Sequence, residues 1–379
     1  MRTSANGAMR IFIRILGCVA LAVWPVIADA QPSAPPTRAA SASTPAEEAA
    51  IEAGARLHDQ GKFNEAIAKY EEILKLSPNN MTALYELAFS FAENKEFEKS
   101  LAAATRGTEY DSPLLPMFYD LIGSAFDSLG DPQKAIETYR KGLQIVPDAA
   151  MLHYNMGVTY LESLKNPDEA RRAFEKAAAI DPKEPAFQLM LGQVFQTAGY
   201  KVPALFAFST YLILEPTGPR SLSAYGFWRA ILRGGIETRQ PGSPDAMMRS
   251  PAPASAATQV SKTDEGDFSD FEKAITLSHQ TVIADMDGGA EEMPALLAHV
   301  NRLFALLAAR SPERDRGTFA GARYLPFFIE LKEKNYVEPF VYWAIQRAPV
   351  SGVREWMAAN QNRVREFVTW SRGYAWPKL

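Results

Sequence analysis

The sequence is poor in the residues that most often carry catalysis or metal binding. Its 379 residues contain one cysteine and four histidines, Cys18, His58, His153, His279 and His299. No two histidines have the i, i+4 or short-loop spacing of metal sites. A phosphate-binding glycine loop, an HExxH motif and a nucleophile elbow are also missing. The sequence therefore predicts no metal, no cofactor and no catalytic residues, and we expect that the chain is not an enzyme.

The sequence also lacks an excess of charge of either sign. Lys and Arg together number 40 and Asp and Glu number 44, which gives a formal net charge of −4. Such a chain has no broad cationic field to attract nucleic acid or anionic lipid. Hydrophobic residues make up 47% of the chain, as in ordinary globular proteins. We therefore expect protein partners and no nucleic acid.

The N-terminal apolar run is too short to cross a bilayer. It occupies residues 15–28, which are 14 residues, whereas a spanning helix needs about 20. Three positive residues precede the run, at Arg2, Arg10 and Arg14. A positive segment followed by a short apolar run is typical of a secretory signal peptide.

A cleavage site follows the apolar run. Ala28-Asp29-Ala30 has the small-x-small pattern that a signal peptidase needs. We predict a signal peptide over residues 1–30, cleaved after Ala30, and a periplasmic or secreted protein with no integral membrane span after cleavage. Cys18 lies ahead of most of the apolar run, which is the wrong order for a lipoprotein anchor. After cleavage no cysteine remains, so packing alone must hold the fold.

A repeated pattern is the main feature that the sequence does have. A small residue is followed four positions later by an aromatic residue, three further on by a third packing residue, and then by proline. Residues separated by four and three positions share one helical face, so each copy predicts an amphipathic helix that ends before proline. The copies are Ala66/Tyr70/Ile73/Pro78, Ala135/Tyr139/Gly142/Pro147, Ala170/Phe174/Ala177/Pro182 and Ala204/Phe208/Tyr211/Pro216, with a looser one at Ser100/Ala104/Gly107.

A second pattern precedes each of these helices. A hydrophobic residue and a small one stand side by side, with a large apolar residue three positions after the small one. Glycine inside a helix costs about 1 kcal/mol relative to alanine. Four copies nevertheless have glycine at the small position, which predicts that two helices approach too closely there for a side chain. The small residues of the five copies are Gly54, Ala88, Gly123, Gly157 and Gly192.

The combined pattern resembles the tetratricopeptide repeat, in an exported protein of bacterial type. The resemblance covers residues 47–218 and implies an all-α fold, a right-handed α-solenoid of helical hairpins followed by a smaller C-terminal helical region. The fourth repeat has one extra residue, around Lys165-Asn166. The five repeats are residues 47–80, 81–114, 116–149, 150–184 and 185–218.

Composition divides the rest of the chain. The Pro/Ala/Ser-rich residues 31–46 predict a disordered linker, and residues 236–266 predict a flexible linker. Residues 219–235 predict a capping helix or the first helix of a sixth repeat, whose second helix would be residues 270–283. Residues 267–379 predict a C-terminal helical domain. The sequence leaves open whether this domain consists of degenerate repeats or a separate bundle.

The resemblance also implies a groove along the first helices of the repeats. Chaperone-binding members of the family hold a terminal carboxylate with a Lys/Asn/Arg clamp, but here Ile51, Ala55 and Asp120 stand at those places. Carboxylates among aromatics favour instead a partner with basic and apolar residues. The alternative is that these side chains contact neighbouring helices or face water. The candidate groove residues are Tyr85, Phe89, Glu93, Asp120, Ser124, Asp127, Tyr154, Val158, Glu162 and Gln193.

Tryptophans are concentrated near the C-terminus. Trp356 and Trp370 are 14 positions apart, which would place them on one face of a single helix. They predict core packing or, alternatively, a second interface together with Trp376, which we expect to be exposed.

These observations favour an exported scaffold or adaptor that binds a peptide or partner helix in the groove. One alternative is a structural subunit of an envelope complex that docks through the Trp-rich helices. An enzyme with its chemistry in residues 267–379 is a further alternative, but no linked catalytic set supports it.

Overall fold

A computed structural model describes residues 38–233, 268, 271–272, 274–275, 292–310 and 316–379. The predicted signal peptide and the predicted linker at 236–266 lie outside these residues. Apart from one pair of two-residue strands, the described chain is helical. Across these ranges, no helix has the length and apolar character needed to cross a membrane.

The repeat region folds as a series of helical hairpins. Four of the five second helices end two residues before the repeated proline, as the sequence predicts; the second one ends earlier, at Gly107. The hairpins are α1 (Pro45–Asp59) with α2 (Phe63–Leu76), α3 (Met81–Glu93) with α4 (Phe97–Gly107), α5 (Leu115–Ser128) with α6 (Pro132–Ile145), α7 (Ala150–Val158), extended by a π-helical turn (Thr159–Ser163), with α8 (Pro167–Ile180), and α9 (Pro185–Thr197) with α10 (Lys201–Leu214).

The turn inside each hairpin has the same backbone geometry. One residue takes a positive φ, and the amide of the next residue donates to a carbonyl near the end of the first helix, as from Lys62 N to Leu57 O at 2.9 Å. Glycine adopts this left-handed conformation without steric cost, and two repeats use lysine there instead. The positive-φ residues are Gly61, Lys95, Gly130, Lys165 and Gly199.

The first helices of the repeats form the inner wall of the array. Helices α1, α3, α5 and α7 contact one another in succession, whereas second helices pack mainly between the first helices on either side. Helices that meet directly lie on the shorter, concave side of a curved stack. The concave face therefore belongs to α1, α3, α5 and α7.

The residues before α1 cross the edge of the array. β1 (Arg38–Ala39) pairs in parallel with β2 (Tyr110–Asp111), and Arg38 forms an ion pair of 2.6 Å with Glu109. Thr44 then caps the N-terminus of α1 in a capping box with Glu47. This part of the segment predicted as a disordered linker is thus ordered, because its backbone pairs with the connection between α4 and α5 although its small side chains bury little.

The remaining helices follow the repeats. The connection between Glu333 and Val337 repeats the turn described above, with Asn335 at positive φ and Tyr336 N donating to Leu331 O at 2.9 Å. Phe328, however, occupies the place of the small residue, seven positions before the turn. The helices are α11 (Ser221–Leu232), α12 (Glu292–Ala308), α13 (Phe319–Arg323), α14 (Leu325–Glu333), α15 (Val337–Ala344), α16 (Val353–Ala359) and α17 (Gln361–Gly373).

The C-terminal helices share one hydrophobic core with the last repeats. α10 is buried from Val202 to Ile213, because α9 covers one side of it and α11, α15 and α17 cover others. Trp343 donates its indole N–H to the carbonyl oxygen of Ile213 at 3.0 Å. This enclosure explains why the sequence of α10 is apolar on all faces, as expected of a fully buried helix.

Candidate functional site

Three rings form a ladder on the concave face of the first two repeats. Tyr85 and Phe89 lie one helical turn apart on α3, with centroids 6.1 Å apart and planes within 3° of parallel. Phe89 in turn stacks on His58 of α1 at 4.8 Å. His58 is held by a hydrogen bond of 2.9 Å between its Nδ1 and Ser90 Oγ. Tyr85 and Phe89 are only partly buried, so the ladder presents aromatic surface to a partner.

Asp120 stands beside this ladder on α5. Its carboxylate accepts a hydrogen bond from the Asn155 amide of α7. Burial raises the pKa of Asp120 to about 7, although the Asn155 hydrogen bond acts in the opposite direction. Burial, and then the neighbouring Asp120, also raises the pKa of Tyr85. Near neutral pH a part of the Asp120 population is therefore uncharged, and this position supplies less negative charge than its residue type suggests.

Asp127 of the third repeat forms hydrogen bonds with the fourth repeat. It is buried, and it accepts hydrogen bonds from Thr159 Oγ1 at 2.9 Å and Ser163 Oγ at 2.6 Å. Both donors belong to the π-helical turn after α7. Ser124, a predicted groove residue, is likewise 3.2 Å from the Tyr139 hydroxyl of α6. The structure thus places these two predicted groove residues against neighbouring helices, as the alternative interpretation expected.

The π-helical turn absorbs the extra residue of the fourth repeat. In the other repeats the small residue precedes the positive-φ residue by seven positions, as Gly123 precedes Gly130, but Gly157 precedes Lys165 by eight. The amide of Leu164 accordingly donates to Thr159 O, five residues back, at 3.0 Å. The insertion therefore lies inside the first helix, upstream of Lys165-Asn166. π-turns of this kind are frequent at functional positions.

The remaining predicted groove residues differ in accessibility. Tyr154 is buried, with ring centroids 5.6 Å from Phe174 and 5.1 Å from Phe187. Burial raises its pKa to about 12. Glu162 is exposed, and Glu93, Val158 and Gln193 are partly buried. The accessible part of the groove accordingly includes Tyr85, Phe89 and Glu93 at one end and Val158, Glu162 and Gln193 at the other.

The tryptophans pack against aromatic residues of the same chain. Trp356 and Trp370 belong to different helices, α16 and α17, because the helix breaks at Asn360; the expectation of one shared helical face is wrong. Trp356 stacks on Tyr342 at 3.9 Å, and Trp370 stacks on Phe327 at 4.9 Å. Trp376, expected to be exposed, is partly buried.

Arg323 is a buried residue that sequence reasoning missed. It is 2% exposed and donates from Nη2 to Ala178 O at 2.8 Å and Ala179 O at 2.5 Å, at the C-terminal end of α8. A cation at this end of a helix is favoured by the helix dipole. No local pattern around position 323 signals this role, because its acceptors lie about 145 residues earlier in the chain.

Potential metal ligands do not gather within the described ranges. No group of three or more His, Cys, Asp or Glu side chains in those ranges is arranged to hold an ion. Of the four histidines, His279 lies outside the described residues.

Comparison with known proteins identifies what the hairpins resemble. The model of a family described as "TPR repeat" matches residues 54–95, and that of a family described as "Tetratricopeptide repeat" matches residues 128–194. A thermophilic TPR protein of Thermus thermophilus is similar in structure, with 20% identity over 49% of this chain and 98% of that one, and a TM-score of 0.41.

Two curated relatives match over similar lengths. BBSome complex member BBS4 of Bos taurus is 28% identical over 145 residues, which are 37% of this chain and 26% of the relative. The Hsp70-Hsp90 organising protein of Plasmodium falciparum is 27% identical over 135 residues, which are 34% of this chain and 22% of the relative. The match thus spans about a quarter of each relative's length, so the likeness does not extend to the whole proteins.

Proposed function

Because this chain is built on tetratricopeptide repeats, we propose that it is an exported scaffold that binds a segment of a partner protein on its concave face. The repeats support protein–protein interaction as the general role, and folds of this kind are typically not catalytic. Export is supported by the arginines, the apolar run and the cleavage triplet of residues 1–30. The chaperone-type clamp is replaced at Ile51, Ala55 and Asp120, which favours a partner other than a chaperone C-terminus.

The observation that carries this proposal is the part of the ladder that lies on α3, where the rings of Tyr85 and Phe89 are partly exposed. Tyr85, Phe89 and Glu93 follow one another at intervals of four residues, so they form one stripe along the helix. Two stacked rings offer apolar area and negative π-faces, and the carboxylate follows one turn later. This arrangement suits an apolar side chain next to a lysine or arginine, through burial, a cation–π contact and an ion pair.

Capture of partners by two matched variants tests the proposal. The protein starting at Gln31 is immobilised and exposed to an envelope extract. The groove variant is Tyr85→Ala/Glu93→Lys. The control, Glu71→Lys/Leu76→Ala, makes a similar charge reversal and apolar truncation on α2, where both side chains are exposed. We expect at least one protein to be retained by the native chain and the control and lost by the groove variant. Equal retention by all three would rule out the ladder as the binding site.

Processing of the N-terminus tests the export proposal separately. When the full chain is produced in a bacterial host, we expect it in the periplasmic fraction with Gln31 as its first residue, as determined by N-terminal sequencing. A chain that stays in the cytoplasm with Met1 intact would overturn this part and leave the binding proposal untouched.

Docking through the Trp-rich helices is the weaker alternative. Trp356, Trp370 and Trp376 each stack on an aromatic ring of their own chain. The ladder lies within the stretch that a repeat model matches, residues 54–95, whereas the three tryptophans lie outside both matched stretches.

A further inference from the structure

The last residues of the chain occupy a binding slot of their own. α17 ends at Gly373, and the C-terminal tail, residues 374–379, folds back over α13 and α14. The Trp376 ring stacks on Phe327 at 4.9 Å and 15°. Trp370 stacks on the same ring at 4.9 Å and 19°. Phe327 is therefore in contact with an indole of α17 and an indole of the tail.

The slot is held in place without the tail. Its components are Arg323, Phe327 and Trp370, which we call the tail slot. Arg323 is fixed by two carbonyls of α8, and Trp370 donates its indole N–H to Glu330 at 2.9 Å. Phe327 is 1% exposed in the common core. Removing the tail would thus leave a preorganised pair of groups, one ring face and one guanidinium N–H, which reduces the cost of binding a replacement.

The tail is anchored near its start, where the Trp376 ring also meets the Tyr324 ring edge-on at 6.3 Å and lies 5.9 Å from the Arg323 guanidinium. Its anchors are the Trp376 ring, the Tyr374 ring that meets Phe327 edge-on at 4.8 Å, and the Pro377 carbonyl that accepts from Arg323. Ala375, Lys378 and Leu379 are exposed, the last at 59%. Because the segment follows a glycine at the end of a helix, rotation at that point would release it without unfolding α17.

We propose that the tail slot is a second peptide-binding site, which takes an extended partner segment with a tryptophan followed by proline and which the tail blocks in cis. The tail shows the chemistry that the slot accepts: a flat ring on Phe327 and, one residue later, a carbonyl oxygen for Arg323. Proline suits the second place, since it needs no partner for a backbone N–H and keeps the segment extended. This site is built from α13, α14 and α17 rather than from the first helices of the repeats, and it does not depend on the proposed function.

Binding of a labelled peptide that copies residues 372–379, RGYAWPKL, tests the proposal. The full chain is compared with its Trp376→Ala variant by fluorescence anisotropy. The variant cannot fill its slot with its own ring, so we expect it to bind the peptide at least about tenfold more tightly than the native chain. A peptide with alanine in place of tryptophan should bind neither protein, which makes this control independent of protein folding.

A second variant and the oligomeric state of the chain complete the test. Phe327→Leu in the Trp376→Ala background should abolish peptide binding, with far-UV circular dichroism as the check on folding. Equal peptide binding by native chain and variant, or none by the variant, would make the tail a purely structural element and overturn the proposal. If gel filtration shows that the native chain is a dimer and that Trp376→Ala is not, a second copy of the chain occupies the slot. This result would overturn the proposal that the slot takes a segment of a different protein.

Discussion

The ring of Tyr139 lies directly against the backbone of Gly123, so that a β-carbon added to the glycine would stand 2.3 Å from the ring. The same relation joins the glycine of the first helix to the aromatic residue of the second in other repeats, at 2.6 to 2.7 Å. The close approach of two helices at the glycines, predicted from the sequence, is confirmed. These pairs are Gly54 with Tyr70, Gly157 with Phe174 and Gly192 with Phe208.

We expect Gly123→Ala to destabilise the protein by about 1–3 kcal/mol, despite the better helix propensity of alanine. Tyr139 is 1% exposed and cannot move aside without disturbing α6. Gly226→Ala is the control, because no atom lies within 4 Å of a β-carbon there and the site is inside α11. This change should stabilise by about 0.5–1 kcal/mol. Urea unfolding measures both, and loss of stability in both variants alike would contradict the packing argument.

Thr159→Val should lower the stability of the protein more than the similar shapes of valine and threonine suggest. Valine keeps the volume of threonine but leaves the buried Asp127 carboxylate with one hydrogen bond fewer, which we expect to cost about 1.5–3 kcal/mol. Thr138→Val serves as the comparison, since the Thr138 hydroxyl is buried as well but bonds only the Lys134 carbonyl in its own helix. Denaturant midpoints that fall equally in the two variants would show that Asp127 does not depend on the π-helical turn.

Asp120→Asn should change how stability depends on pH. In the folded chain the pKa of Asp120 is about 7, above its ordinary value of 3.8. Between these values the folded state keeps a proton that the unfolded state releases, so this carboxyl lowers the stability of the native chain as pH rises, by up to about 1.4 kcal/mol per unit. Asparagine does not titrate, so the stability of the variant relative to the native chain should increase by about 2–3 kcal/mol between pH 5 and pH 8. Parallel pH profiles of the urea midpoint would refute this.

Arg323→Lys should loosen the attachment of the C-terminal helices to the repeats. An ammonium group keeps the charge but lacks the planar fork that reaches Ala178 O, Ala179 O and Pro377 O together, and we expect a loss of about 2–4 kcal/mol. Arg347→Lys is the matched control, because Arg347 also bonds two carbonyls, at 3.0 and 2.8 Å, but is exposed. Water replaces its contacts, so the loss should stay under about 1 kcal/mol. Thermal unfolding that responds equally to the two changes would argue against a special role for Arg323.

The hairpins and their order were readable because each depends on residues close together in the chain. Gly123 and Tyr139 are 16 positions apart, and their pairing follows from helical periodicity and one tight turn. The turn between α14 and α15 escaped recognition because Phe328 stands where the pattern requires a small residue, although Asn335 has the same positive φ. A side-chain pattern can thus be lost while the backbone geometry that it usually accompanies remains.

The sequence by itself determined the all-α class, the repeats and their concave row of first helices, since these rest on local periodicity and on glycine–aromatic pairs within one hairpin. Only the tertiary structure decided which groove residues stay open. Asp127 meets Thr159, and Arg323 meets Ala178, across 32 and 145 residues. Contacts over such separations leave no spacing to read, and the ionisation of a carboxyl such as Asp120 depends on which helices cover it, which is a property of the folded chain.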